Sequence, residues 1–154
     1  MIIGVVSDTH NFFDPKLRHL LPGVQHILHA GDIGQPHIIV ELEQFAPVAA
    51  VSGNIDDSAW HYHHTRIVEL AGRKFLVHHI VEPHAPGDQL QELITRERPE
   101  VIVFGYTHKP FCETIGGILY FNPGYAGKSR FNMPRSIALL HCTPNEIRAE
   151  YKWL

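Results

Sequence analysis

Cysteine is scarce in this chain, with only Cys112 and Cys142 among 154 residues. Two thiols in a chain long enough for a sizeable core do not make a disulfide framework, and we expect both to be small buried apolar residues. Long apolar runs are also lacking, and none approaches the roughly 20 residues that span a bilayer. Residues 1–6 carry no charged leader and reach Asp8 too early for a signal peptide. We therefore expect a cytoplasmic protein without membrane contact.

An excess of positive charge is lacking as well, since the formal net charge is −3 and the sequence pI is about 6.5. Proteins that hold long nucleic acid or an anionic membrane rely on a broad basic surface, so neither is an expected partner. A small phosphate ester needs only a local positive site and stays a candidate substrate. The composition, 44% apolar and 19% charged, is that of a globular protein, and we expect one domain over residues 1–154. A homo-oligomer is compatible with these data.

Short β-branched apolar runs between glycine, proline and polar residues predict a series of strands. The predicted strands are residues 2–6, 25–29, 47–51, 66–70, 74–77, 101–104, 118–121, 136–141 and 146–152. Helices are predicted over residues 16–21, from residue 35 to the residue before Pro47, and over about 86–98. Strand and helix alternate in the first half, which indicates parallel pairing, while short turns in the second half indicate antiparallel pairing. The chain is therefore predicted to be a single α/β domain built as a layered sandwich.

Side chains that can bind a cation follow five of the predicted strands. They are Asp8 and His10, then Asp32, Asn54, His78 and His108. The carboxyl ends of strands in open α/β sheets form the crevice where ligands bind, so we expect these residues to converge. Oxygen and nitrogen donors without a thiolate suit manganese, iron, zinc or similar ions. Asp8 and His10 lie two residues apart and would point the same way in an extended segment. Each motif alone is common, but the set predicts a metal site.

The ordered set of motifs resembles the calcineurin-like metallophosphoesterases, and more closely their small bacterial and archaeal phosphodiesterase branch. The matching residues are Ser7-Asp8-Thr9-His10, Gly31-Asp32, Gly53-Asn54-Ile55-Asp56, His78, Gly105-x-Thr107-His108 and Asn122-Pro123-Gly124. The resemblance extends over nearly the whole chain, from residue 7 to about 135. It implies a four-layer αββα sandwich with mixed sheets and a two-metal centre at the strand ends.

The resemblance also implies a ligand for each position of that centre. Asp8, His10 and His108 would hold one ion, Asn54 and His78 the other, and Asp32 would bridge both. Asp32 and Asn54 would thereby also be catalytic. The implied activity is hydrolysis of a phosphate ester, a phosphodiester rather than a phosphomonoester, by in-line attack of a metal-activated hydroxide. The ions could be manganese, zinc, iron or nickel.

Three positions depart from the family pattern, namely Tyr106, Ile55 and Tyr125. Tyr106 stands where the family has the first histidine of Gly-His-x-His, a ligand of the second ion. A neutral phenol, with an unperturbed pKa of about 10, is a poor ligand. Our hypothesis is that the second ion is held more weakly or that Tyr106 reaches it through water; alternatively the ring turns away and packs. Ile55 replaces a histidine that protonates leaving groups in larger phosphatases, and His79 is the candidate for that role unless it is a surface or packed residue.

Substrate contacts are expected from Asn11, next to His10, and from Lys128 and Arg130, in the loop after Asn122-Pro123-Gly124-Tyr125. In that motif Tyr125 replaces the serine of the family. The alternative is that these polar side chains are simply solvated.

The remaining histidines, out of 13 in the chain, receive no role. We interpret His61, His63 and His64 as exposed loop residues, and His29 has no matching context.

Two further functions compete with the phosphoesterase. One is a catalytically silent scaffold of the same fold that binds partner proteins, which Tyr106 favours and the otherwise retained ligand set disfavours. The other is a metal-binding regulatory protein without turnover.

Overall fold

The computed structural model describes all 154 residues and contains ten strands and three α-helices. The strands are β1 (Ile2–Val6), β2 (His26–His29), β3 (Val48–Ala50), β4 (Thr65–Leu70), β5 (Arg73–His78), β6 (Val101–Val103), β7 (Phe111–Ile115), β8 (Ile118–Asn122), β9 (Ser136–Cys142) and β10 (Ile147–Trp153). The helices are α1 (Leu17–Leu20), α2 (His37–Glu43) and α3 (Asp88–Glu97). No helix has the length and apolar character required to cross a bilayer.

The strands form two mixed sheets of five strands each, in the orders β10-β9-β1-β2-β3 and β4-β5-β6-β8-β7. In the first sheet β1, β2 and β3 are parallel, while β9 and β10 are antiparallel to their neighbours. In the second sheet β5, β6 and β8 are parallel, and β4 and β7 are antiparallel edge strands. The parallel strands therefore direct their carboxyl ends to a common edge in each sheet, as the sequence predicts.

The apolar faces of the two sheets pack against each other, and helices cover both outer faces. Val5 of the first sheet and Phe75 of the second are fully buried in the same cluster between the sheets. Leu17 of α1 and Leu42 of α2 pack on the outer face of the first sheet. Ile94 of α3 packs on the outer face of the second. This arrangement confirms the predicted four-layer αββα sandwich with mixed sheets.

One strand, β7, is absent from the sequence prediction. It hydrogen-bonds antiparallel to β8 across the Gly116-Gly117 turn, and its three central residues are exposed. An exposed edge strand lacks the continuous apolar run that reveals the buried strands, so the sequence pattern does not detect it. Cys112 lies in this strand and is exposed, which corrects the expectation that it is buried; Cys142 is buried as predicted.

The contact between the sheets can be tested at Phe75, which has no exposed surface. Replacing a buried phenylalanine by alanine leaves a cavity, so we expect Phe75→Ala to lower the free energy of unfolding by about 3–5 kcal/mol in chemical denaturation. The matched control is Phe131→Ala, because the Phe131 side chain is 95% exposed. This control should change the free energy of unfolding by less than about 0.5 kcal/mol. Equal effects of the two substitutions would contradict the packing described.

Candidate metal centre

Six polar side chains meet where the carboxyl ends of β1, β2, β3, β5 and β6 approach one another. They are Asp8, His10, Asp32, Asn54, His79 and His108. The first sheet contributes Asp8, His10, Asp32 and Asn54, and the second contributes the two remaining histidines. The cluster therefore lies at the junction of the two sheets.

The carboxylate oxygens and imidazole nitrogens of this cluster are close together but somewhat further apart than in ordinary hydrogen bonds. His108 Nε2 is 3.3 Å from Asp8 Oδ1, and His10 Nε2 is 3.7 Å from the same oxygen. Asp32 Oδ2 lies 3.5 Å from His10 Nε2 and 3.4 Å from His79 Nε2. Two atoms that each lie about 2.1 Å from one ion, at octahedral or tetrahedral angles, are about 3.0–3.4 Å from each other. The spacing is therefore close to that of ligands around a shared cation.

Two atoms of the cluster are buried and have no hydrogen-bond partner. They are Asp8 Oδ1 and His10 Nε2. The other carboxylate oxygen of Asp8 is satisfied, since it accepts from the Ser7 hydroxyl at 2.7 Å and from the Tyr106 N–H at 3.1 Å. Buried polar atoms are almost always paired, so an unpaired carboxylate oxygen beside an unpaired ring nitrogen requires an explanation. A divalent metal ion bound by both atoms supplies one, and two sets of donors are close enough to hold an ion: Asp8, His10 and His108, and Asp8, Asp32 and His79.

His79 has the hydrogen-bonding pattern of a metal ligand. Its Nδ1 is 2.6 Å from the carbonyl oxygen of Ala30, which can only accept, so we assign the ring proton to Nδ1. The lone pair of Nε2 then faces Asn54 Oδ1 at 3.1 Å and the carboxylate of Asp32. Histidines that bind metals usually donate their other ring N–H to a carboxylate or a backbone carbonyl, which fixes the ring and its tautomer.

The pKa values of the cluster show that it holds negative charge and attracts positive charge. Burial raises the pKa of Asp8, but the imidazoles of His10 and His108 stabilise the carboxylate and keep this pKa well below its usual range. Burial lowers the pKa of His79, but the carboxylates of Asp32 and Asp8 outweigh it and raise this pKa. Each carboxylate thus favours a cation in its immediate surroundings.

His78, the sequence-predicted ligand, does not join the cluster; the adjacent His79 takes that place. Successive side chains of an extended strand point in opposite directions, so only one of two adjacent histidines at the end of β5 can reach the cluster. The Nδ1 atom of His78 is 2.7 Å from Thr65 Oγ1. His79 is only 3% exposed and lies beside the carboxylate of Asp32, a placement that favours a ligand over the free, titrating general acid that the sequence suggested.

Tyr106 contributes its backbone to the centre, while its side chain is 50% exposed. Its ring centroid lies 5.8 Å from that of His79 in an edge-on arrangement. The ring is therefore next to the cluster without packing into the core. Ile55 is 49% exposed and its N–H donates to Asp32 Oδ1 at 3.0 Å, so this residue orients the carboxylate through its backbone.

The residues expected to bind substrate lie around the rim. The side-chain oxygen of Asn11 accepts from the Gln35 N–H at 2.9 Å, which holds the start of α2. The guanidinium carbon of Arg130 is 5.1 Å from the centroid of the Tyr125 ring, and Lys128 Nζ is 5.9 Å from that of Phe12. Arg130 is thus connected to the centre through Tyr125, whereas Lys128 contacts a residue further along the rim.

Tyr125 orients two of the clustered histidines, a role that the sequence does not reveal. Its ring is 2% exposed and stacks on His108 with 4.6 Å between centroids. Its edge also faces His10, at 5.8 Å between centroids. The only sequence signal was the replacement of serine in the family motif. Asn122, from the same motif, donates through Nδ2 to Gly105 O at 3.0 Å and so fixes the loop that carries His108.

Four of the six clustered residues, and Tyr106 beside them, have their backbone in the left-handed region. The φ angles are 55° at Asp8, 46° at His10, 52° at Asp32, 71° at Tyr106 and 61° at His108. Such conformations are uncommon for residues other than glycine and cluster at functional sites. The segment from Asp8 to His10 is therefore not extended as expected, and tight turns direct its side chains inward. Gly53 allows the backbone to approach Asp32 closely, because a Cβ at this position would overlap the backbone nitrogen and Oδ1 of Asp32.

A buried hydrogen-bond relay through His29 connects the loops after β1 and β2. The Gly31 N–H donates to His29 Nδ1 at 3.2 Å, so Nε2 carries the ring proton and donates to Thr9 Oγ1 at 3.0 Å. The Thr9 hydroxyl in turn donates to Ile33 O at 2.7 Å. Burial lowers the pKa of His29 to about 3, so the ring stays neutral at physiological pH. The relay fixes Thr9, between Asp8 and His10, against the loop that carries Asp32.

The sequence profile of the calcineurin-like phosphoesterase superfamily domain matches residues 1–145, and the chain belongs to this superfamily. A "probable metallophosphoesterase" of Methanothermobacter thermautotrophicus is 34% identical over 160 residues, which cover 97% of this chain and 91% of that protein. A phosphodiesterase of Methanocaldococcus jannaschii is 27% identical over 143 residues, covering 80% of this chain and 83% of the relative.

Two solved structures show the same fold at low sequence identity. A structure described as a novel archaeal phosphodiesterase has a TM-score of 0.80 at 23% identity, with all of both chains covered. Vps29 of Entamoeba histolytica, solved with Zn²⁺, has a TM-score of 0.75 at 23% identity, with 99% of both chains covered. These two likenesses establish the architecture only.

The His29 relay can be tested by comparing two histidines of the same strand. His29→Leu leaves the buried Gly31 N–H without an acceptor, so we expect a loss of about 1–3 kcal/mol in the unfolding free energy of the metal-free protein. The control is His26→Leu, because the buried Nδ1 of His26 has no hydrogen-bond partner to lose. It should lower the unfolding free energy by no more than about 0.5 kcal/mol in the same urea titration. A larger loss for His26→Leu than for His29→Leu would refute the relay.

Proposed function

We propose that this protein is a metal-dependent phosphodiesterase that hydrolyses small organic phosphodiesters at a two-metal centre. The observation that carries the proposal is the pair of buried, unpaired atoms, Asp8 Oδ1 and His10 Nε2, inside a cluster of carboxylates and imidazoles. The family and the phosphodiesterase relative supply the reaction class.

The clustered side chains would hold two ions. Asp8, His10 and His108 would hold the first, and Asp32, which lies close to His10 and His79, would contribute to both. His79 and Asn54, 3.1 Å apart at their donor atoms, would complete the second position, with His79 in place of the predicted His78. Nitrogen and oxygen donors of this kind suit manganese, iron, zinc or nickel.

When bound, such ions activate a water and neutralise charge on the phosphoryl oxygens. The surrounding protein orients the reacting groups. Asp8 and Asp32 are held by backbone N–H groups of Tyr106 and Ile55, which fix the carboxylates before substrate arrives. Arg130 and the free amide nitrogen of Asn11, both at the rim of the site, would donate hydrogen bonds to the phosphate oxygens. Lys128 lies further out. With Ile55 at the usual acid position, leaving groups that need no protonation should react fastest.

A scaffold that binds partner proteins is the alternative, supported by the Vps29 fold and by the exposed side chains of Tyr106 and Ile55 beside the centre. Metal binding alone does not separate the two, since one Vps29 structure also holds Zn²⁺. Turnover does separate them.

Hydrolysis of bis(p-nitrophenyl) phosphate tests the proposal. We expect p-nitrophenol release that depends on added Mn²⁺ and is abolished by chelator. Asp32→Asn should reduce kcat/KM by at least about 100-fold, since even supporting residues of metal sites contribute about 10–100-fold. The matched control is Asp57→Asn, at an exposed carboxylate on a neighbouring loop, which should retain full activity. Protein that binds metal and shows no turnover would favour the scaffold.

The weakness of the second ion can be tested at Tyr106. Tyr106→His restores an imidazole ligand, so the weaker of two Mn²⁺ dissociation constants should fall by at least about 10-fold in calorimetry while the tighter one is unchanged. Tyr106→Phe is the control and should leave both constants as in the wild type, because the phenol oxygen is not a direct ligand in this proposal. An unchanged weaker constant in Tyr106→His would refute the weakening.

A further inference from the structure

A cavity of about 690 Å³ lies beside the metal centre and not within it. One wall comes from the strand side and the other from the start of α3. The lining residues are His64, Thr65, His78 and Ile80 on the strand side, and residues 86–90 with Leu93 on the helix side. A volume of this size accommodates an organic group of ligand size.

Shared lining residues connect the cavity to the metal centre. A smaller pocket of about 170 Å³ is lined by Asn54 and His79 of the centre together with His64, His78 and Ile80 of the cavity. The three shared residues thus form a passage from the centre to the wall of α3. A group attached to a phosphorus atom at the centre can extend along this passage.

The strand wall of the passage carries two hydrogen-bonding imidazoles whose orientation is fixed. His64 Nδ1 is 3.1 Å from Ser52 Oγ, and His78 Nδ1 is 2.7 Å from Thr65 Oγ1. With Nδ1 of each ring engaged in this way, Nε2 is the ring atom left to bind a hydroxyl, carbonyl or ring nitrogen. Two polar groups at defined positions on a mixed surface are typical of small-molecule sites.

The rest of the cavity is apolar or uncharged, with one acidic exception. Ile80 is 49% exposed, and Leu93 contributes apolar surface from α3. No lysine or arginine lines the cavity, and Asp88 is its only carboxylate. A second phosphate would meet no positive charge and would be repelled by Asp88, so the occupant carries no further anionic group.

We infer that this groove, from His64 and His78 to the first turns of α3, binds one ester group of the phosphodiester substrate, an uncharged nucleoside-sized alcohol with polar edges and an apolar face. The inference rests on the proposed function and adds the substrate class to it. The two imidazoles bind the polar edges, and Ile80 with Leu93 contacts the apolar face. Substrates with a methyl ester or a polyphosphate in place of this group lose those contacts.

The test compares two diesters that release the same product, thymidine 5′-(p-nitrophenyl) phosphate and methyl p-nitrophenyl phosphate, with the Mn²⁺-loaded protein. Gln89→Trp places a large side chain in the groove at an exposed position of the first turn of α3. Gln91→Trp is the matched control, since this residue is exposed on the same helix but does not line the groove. Methyl ester hydrolysis reports that each variant is folded and loaded.

We expect wild-type kcat/KM to be at least about 10-fold higher for the thymidine ester, and Gln89→Trp to raise KM for that ester alone by about 10-fold. Gln91→Trp should alter neither substrate by more than about twofold. If Gln89→Trp affects both esters equally or neither, the groove inference fails while the phosphodiesterase proposal stands. If the wild type hydrolyses neither ester, the proposed function fails and the inference with it.

Discussion

Two buried carboxylates held close to three imidazoles are the constraint around which the site is built. Asp8 is completely buried and Asp32 nearly so, and each lies within 4 Å of imidazole nitrogens. Buried negative charge is costly unless it is compensated. The compensation here comes from backbone N–H donors, from polarised imidazoles and, in our proposal, from divalent cations. If the loops did not hold these compensating groups rigidly, the carboxylates of Asp8 and Asp32 would repel each other.

Rigidity is supplied by residues that do not belong to the cluster. The His29 relay joins the first two loops, Asn122 fixes the loop of His108, and Tyr125 stacks on its ring. Left-handed backbone at the clustered residues costs conformational energy that the surrounding packing must offset. Tight packing of this kind keeps the donor atoms within the narrow range of distances that a metal ion accepts.

The sequence predicts the architecture well, because buried β-branched runs and helix boundaries leave clear local patterns. It also predicts which strands carry polar residues at their carboxyl ends, since these ends must converge. It does not determine in which direction an individual side chain points. The choice between His78 and His79 depends on where β5 ends, because one residue reverses the direction of the side chain. The orientation of Asp8 and His10 depends on left-handed turns, and the contact of Tyr125 with His10 and His108 depends on tertiary packing. Neither has a reliable pattern in a single sequence.

The position of the cluster at the junction of the sheets has a consequence for the lifetime of the protein. Donors from both halves of the sandwich surround the same small volume, so an ion bound there cross-links the two layers at this edge. Ligands that bind only the folded state stabilise it in proportion to the logarithm of their concentration. If the proposed ion binds there, its scarcity would lower the stability of the folded state and increase exposure of the chain to proteases.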